Sequence, residues 1–239
     1  MANGALLEAG TGKCEQMNML KPPIVFFDFD NTITREDVLS LVIEEYSINQ
    51  DWKVLEKAWR SGEIGSRECL EGQLQFVRVT RSELVDFIVK VPLDPFFLPL
   101  LKTLKQNQIP SIIVSDSFSF IIQTILEHHG LFRESVFANE LRFKGDRLVP
   151  SFPFVSYECR RCAHCKKRHL LKHENKTRIY VGDGLSDICP AMEADIVFAK
   201  KDLAQYLGMV QKPHNLFDDL ETVSEFFKKS ENLFQATIN

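Results

Sequence analysis

No stretch of this 239-residue chain reaches the run of about 18 apolar residues that a membrane-spanning helix needs, so no membrane contact is expected. Neither sign of charge dominates. Lys and Arg total 29 against 33 Asp and Glu, a net charge of −4, so no global field gathers nucleic acid. The local basic run Arg160-Arg161 and Lys166-Lys167-Arg168-His169 is too short to argue otherwise. Residues 1–20 lack a basic start followed by an apolar block, which argues against a secretory leader; with Gly4, Gly10 and Gly12 they read as a flexible extension. Internal repeats and low-complexity tracts are absent. Cysteine is sparse, six in all, and mostly scattered, which fits a cytoplasmic protein with reduced thiols. The exception is Cys159, Cys162 and Cys165, spaced C-x2-C-x2-C with His169 shortly after. That set offers either a tetrahedral zinc site or a loop of reduced thiols.

What the chain does have is a buried-looking strand that ends in acid. Residues 24–27, Ile-Val-Phe-Phe, run into Asp28-Phe29-Asp30-Asn31-Thr32. Strand side chains alternate with period two, so Asp28 and Asp30 project to the same side. Paired carboxylates at the end of an apolar strand are costly unless a cation or chemistry offsets them.

Two later segments repeat the form. Ser111 to Val114 lead into Ser115-Asp116-Ser117, followed by Phe118, Ile121, Ile122, Ile125 and Leu126 at helical spacing. A serine there either caps the helix or binds an oxyanion with the help of the helix amides, and both roles are compatible. Residues 179–187, Ile-Tyr-Val-Gly-Asp-Gly-Leu-Ser-Asp, form a third strand, a glycine-flanked carboxylate and a second carboxylate about one helical turn on. Gly182 and Gly184 permit a tight turn and close backbone approach.

Strands are expected near 24–29, 111–115, 179–182 and 195–198, with a hairpin between Asn139 and Val149 turning at Gly145-Asp146. Between the first two strands the apolar spacing is helical: Val38 to Ile43, Trp52 to Trp59, Leu70 to Phe76, Leu84 to Ile88. The aromatic positions in that stretch read as core. Pro92 and Pro95 end it, and a further helix covers 96–105. Strands alternating with helices predict an α/β fold with a mainly parallel sheet, whose ligand sits at the carboxyl ends of the strands.

In this order the segments resemble the motifs of the haloacid dehalogenase (HAD) superfamily of phosphatases: Asp28-x-Asp30-x-Thr32, then Ser115, a lysine, and Gly182-Asp183-Gly184-x-x-Asp187. The resemblance spans roughly residues 22 to 225. It implies a Rossmann-like core over 21–35 and 91–239, with an all-helical cap inserted over 36–90 as in the phosphoserine-phosphatase-like branch. For the lysine the candidates are Lys166, Lys167 and Lys172. Cys162-Ala163-His164-Cys165-Lys166 resembles the C-x-x-C-K of one branch and favours Lys166. That branch includes phosphatases acting on phosphoethanolamine or phosphocholine, on pyridoxal phosphate, and on the methionine-salvage keto-phosphate.

The resemblance further implies an enzyme that hydrolyses a small-molecule phosphate through an aspartyl-phosphate intermediate. Asp28 would be the nucleophile and Asp30 the general acid and base, with Ser115 and Lys166 stabilising the phosphoryl oxygens. Mg2+ would be held by the carboxylates of Asp28 and Asp183 and the main-chain carbonyl of Asp30, with Asp187 a direct or supporting carboxylate. Thr32, Asp37, Asp116, Ser117 and Gly184 are the expected substrate-side positions. If Asp37 and Asp116 line the pocket they favour a cationic, amino-alcohol leaving group; alternatively both are helix-terminal residues. A phosphoprotein phosphatase and a phosphomutase are the competing classes, and a cap that encloses small substrates argues against the first.

Overall fold

The computed structural model describes residues 21–156 and 161–230. The N-terminal extension expected over 1–20 and Cys159 lie outside the described residues.

Strand β1 (Pro23–Phe27) is buried at every position, as a strand covered on both faces must be. Parallel neighbours flank it: β2 (Ser111–Phe118) on one side and β5 (Thr177–Gly182) on the other. With β3 (Ser135–Lys144), β4 (Arg147–Ser151), β6 (Ile196–Ala199) and β7 (Asn215–Leu216), the described strands form one sheet in the order β4-β3-β2-β1-β5-β6-β7. Within it β3 and β4 pair antiparallel, turning at Gly145-Asp146, where Gly145 has φ +64°. Such a left-handed turn position suits glycine.

Helices cover both faces. Val25, Phe27, Ile113, Val181 and Phe198 pack toward α5 (Phe97–Gln106), α6 (Ser119–His128) and α10 (Leu220–Lys229). Ile24, Phe26, Val114, Tyr180 and Val197 pack toward α7 (Lys167–Leu171), α8 (Ile188–Glu193) and α9 (Lys201–Met209). Between β1 and β2 the chain also forms α1 (Val38–Tyr46), α2 (Trp52–Arg60), α3 (Ser66–Gln73) and α4 (Arg81–Ile88). Asp37 Oδ1 caps α1 by accepting from Ser40 N at 2.8 Å, and Thr80 with Glu83 forms a reciprocal capping box on α4.

Two features differ from the sequence expectation. Strand β2 runs past residue 115 to Phe118, with an irregular register between Val114 and Phe118. A β-bulge of this kind re-aims side chains near a site and has no clean period-two signature. The two-residue β7 is too short to stand out by alternation, and the first residues of β3, Val136-Phe137-Ala138, form an apolar run without alternation.

The sheet order reverses at β1, where one crossover leads to β2 and the other side is taken by β5. The crevice beyond the carboxyl ends of the strands at this reversal is where such sheets place ligands.

Candidate active site

Asp28 follows β1 directly, and its N–H donates to Val181 O at 2.9 Å, which carries the ladder to the sheet's edge. The chain then turns sharply. Phe29 O accepts from the backbone of Thr32, Ile33 and Thr34, Thr34 Oγ1 donates to both Phe29 O and Glu36 O, and Asn31 adopts φ +56°. This turn presents Asp30 to the cavity while Asp30 Oδ1 accepts from Val38 N at 2.8 Å.

Of the three candidate lysines, Lys166 reaches this centre. Its side chain is buried, and Nζ donates to Asp28 Oδ1 at 2.7 Å, Asp187 Oδ1 at 2.7 Å and Ser186 Oγ at 3.1 Å. Lys167 instead pairs with Glu193. Asp187 is wholly buried and fully engaged: Oδ1 also accepts from Tyr180 Oη at 2.6 Å, and Oδ2 accepts from the N–H groups of Asp183 and Gly184, each at 3.0 Å. A Cβ on Gly182 would stand 2.6 Å from Asp187 Oδ2, so only glycine fits beneath this carboxylate. Asp187 therefore holds Lys166 and the Asp183 turn in place, and its four accepted bonds leave it little capacity as a direct metal ligand.

Carboxylate oxygens of Asp28, Asp183 and Asp187 lie within 4.8 Å of one another. Burial, then the Asp187 charge, push Asp28 well above the usual carboxylate range against the pull of Lys166. Burial and the Asp187 charge raise Asp183 to about 7, and burial with Asp37 raises Asp30 to about 8. Lys166 is held charged well above its ordinary value: burial opposes its charge, but Asp187 and Asp28 outweigh it. One ammonium faces three clustered carboxylates, and Lys201 Nζ stands 3.5 Å from Asp183. Excess negative charge on hard oxygen donors fits a divalent cation such as Mg2+.

Ser115 and Ser117 are buried, line the cavity, and share a hydrogen bond from Ser117 N to Ser115 Oγ of 3.1 Å. Gly184 and Asp37 also line it. Asp116 belongs to the same wall, yet both its carboxylate oxygens are buried with no hydrogen-bond partner among the described residues, and burial raises it to about 7. Thr32, expected on the substrate side, is fully buried and not among the residues lining the cavity, and Thr34 supplies the hydroxyl that ties the turn.

The zinc expectation meets a different arrangement. Among the described residues Cys162, Cys165 and His169 do not bring ligand atoms together, and Cys159 lies outside them. His169 Nε2 is instead bonded to His164 Nε2 at 2.8 Å, with the two rings stacked and both buried. Burial and neighbouring positive charge hold His164 down to about 2 and His169 down to about 4, so the pair is neutral.

Two sets of residues escape the sequence reading. Tyr180 carries only the general signal that a buried tyrosine hydroxyl needs a partner. Trp59, read as core from its helical spacing, lines the cavity with Leu39, Ile43 and Leu70; Trp52 also lines it and is buried in the core as expected. Helical periodicity cannot tell a face packed on protein from a face roofing a cavity.

Fold and site together define a phosphatase of the haloacid dehalogenase type. The chain matches the Putative Phosphatase family over residues 23–236 and belongs to it. It is similar to the 2-hydroxy-3-keto-5-methylthiopentenyl-1-phosphate phosphatase of Brevibacillus brevis, with 28% identity over 205 residues, 83% of this chain and 92% of that protein. Two solved phosphoserine phosphatases share the fold. One, described as a phospho-aspartyl intermediate analogue, has a TM-score of 0.67 at 20% identity and covers 86% of this chain and 99% of its own. A substrate-bound complex has a TM-score of 0.68 at 20% identity, covering 86% and 98%. The α/β sheet and the phosphatase class expected from the motifs are thereby established.

Proposed function

We propose that this phosphatase is a Mg2+-dependent phosphomonoesterase that hydrolyses a small-molecule phosphate through a covalent intermediate on Asp28. The observation that carries this reading is the buried contact of Lys166 with Asp28 and Asp187, set among Ser115, Asp30 and Asp183 in one cavity.

Asp28, facing the cavity at the end of β1, attacks phosphorus, and the P–O bond to the leaving alcohol breaks. Asp30, held protonated near neutral pH by burial and Asp37, gives its proton to the departing oxygen. As a carboxylate it then takes a proton from water, which attacks the phosphoryl group and frees Asp28. Lys166 and Ser115 stabilise the charge spread over the phosphoryl oxygens. The carboxylates of Asp28 and Asp183, with the main-chain carbonyl of Asp30, would hold Mg2+, which supplies charge neutralisation when bound. The α1–α4 segment acts as a cap over 36–90, on a core of 21–35 and 91–239. Thiols at Cys69, Cys165 and Cys189, outside any disulfide, fit a cytoplasmic setting.

For the leaving group two readings stand. The activity of the Brevibacillus relative favours a keto-phosphate carrying a methylthio group. The cavity position of Asp37 favours an amino alcohol. The test is phosphate release from phosphoethanolamine, phosphocholine, pyridoxal phosphate and the salvage keto-phosphate, with Mg2+ or with chelator. Release that requires Mg2+ and disappears in Asp28→Asn supports the mechanism; release unaffected by either change contradicts it.

A further inference from the structure

The cavity continues past the carboxylates under α1, α2 and α3, and this outer half differs in character from the inner one. Its wall carries the apolar side chains of Leu39, Ile43, Trp52, Trp59 and Leu70, interspersed with Ser40, Ser66, Cys69 and Gln73. Trp59 Nε1 donates to Ser66 Oγ at 3.1 Å, and Trp52 Nε1 is buried with no hydrogen-bond partner among the described residues. The charged residues of this wall are committed to each other: Arg60 Nε lies 3.1 Å from Glu56 and Arg60 Nη1 lies 3.8 Å from Asp202. The two acids on which a cationic leaving group depends are compromised. Asp116 keeps both oxygens buried, and Asp37 spends Oδ1 on capping α1.

We infer that this wall is a leaving-group subsite for an uncharged group with an apolar end, and that Trp59 is a specificity-determining residue within it. The inference rests on the phosphomonoesterase reading above, and it adds the chemical class of the leaving group and the residues that select it. An apolar end displaces water from carbon surface on both sides. A cation placed there loses hydration, while the Asp116 oxygens lie buried and Asp37 Oδ1 is spent on the α1 cap.

The test uses the full chain with Mg2+ and compares kcat/KM for ethyl, butyl and hexyl phosphate. A second comparison sets phosphocholine against its carbon isostere, 3,3-dimethylbutyl phosphate. The expected ladder rises about fourfold per methylene until the wall is filled. The neutral isostere should exceed phosphocholine by about tenfold or more. In Trp59→Ala the hexyl-to-ethyl ratio should collapse, and in Trp59→Phe, which keeps an aromatic carbon face, most of it should return. A flat ladder with phosphate release intact, or phosphocholine turned over as well as its isostere, would overturn the subsite and leave the phosphatase reading standing. Absence of release from every ester would overturn both.

Discussion

Asp28 stands where three demands meet: it ends a buried strand, accepts from a buried lysine and faces the cavity. Asp28→Asn should abolish phosphate release while leaving the thermal transition close to wild type, because the amide still accepts from Lys166. Lys166→Met should be worse for the molecule as a whole. It leaves Asp28 and Asp187 buried without their cation, so turnover should fall by at least about a hundredfold, and the midpoint of denaturation should move with Mg2+ more than in the wild type. Tyr180→Phe removes one of four bonds to Asp187 and should cost roughly 1–2 kcal/mol in chemical denaturation, with a smaller loss of kcat than Lys166→Met. At this scale the legible residues were those whose cost shows in the sequence, a carboxylate after an apolar run. Tyr180 and Trp59 were not legible, because an aromatic in an apolar pattern has the same signature whether it packs on protein, holds a carboxylate or roofs a cavity.

The element that carries Lys166 is short. It runs from the turn at Cys162 into α7, and its backbone is tied by Lys166 N to His164 O at 2.9 Å and His169 N to Lys166 O at 3.0 Å. The His164–His169 bond and its packing against Phe137 and Phe154 clamp this turn. Both imidazoles are depressed below their ordinary 6.5, His169 to about 4 and His164 to about 2. Below pH 6.5 the unfolded chain therefore binds protons that the folded one refuses. The stabilisation is complete above that pH and is lost as the pH falls through about 4 and then about 2. Compared pH by pH with His164→Phe/His169→Phe, the wild type should lose Tm more steeply between pH 6.5 and 4; parallel curves would show that the pair does not stay neutral. The Cys/His spacing left zinc ligation or reduced thiols open, and spacing alone could not show that His169 Nε2 is bonded to His164. The strands and helices themselves were mostly readable, because β1 and β6 are continuous apolar runs, β5 carries the run Ile179-Tyr180-Val181, and α4 begins with a Thr-x-x-Glu box. The bulged end of β2 and the two-residue β7 were not, since a bulge breaks alternation and two residues have no period.

Across the whole molecule, the helices between β1 and β2 are tied to the rest by Ser66 N to Arg161 O at 2.7 Å and by Arg60 to Asp202. The acids of the centre come from β1 and from the turn after β5, adjacent strands far apart in sequence. Alternation of strand and helix made a parallel sheet legible, and motif order placed the acids at its carboxyl edge. What the sequence could not convey is the shape of the cavity's outer half, which depends on how three helix faces meet over the sheet. Because those acids repel one another, Mg2+ should raise Tm in proportion to its occupancy of the folded state, and Asp183→Asn should abolish most of that shift. An equal shift in the variant would place the ion elsewhere.

The central claim is a phosphoryl group carried on Asp28. Enzyme mixed with a turned-over ester and Mg2+ would be quenched in borohydride, which reduces an acyl phosphate to the alcohol, and position 28 read by peptide mass spectrometry. Homoserine is expected at residue 28, dependent on substrate and missing when ester or Mg2+ is withheld. Turnover with an unmodified residue 28, or the label on another side chain, would contradict it.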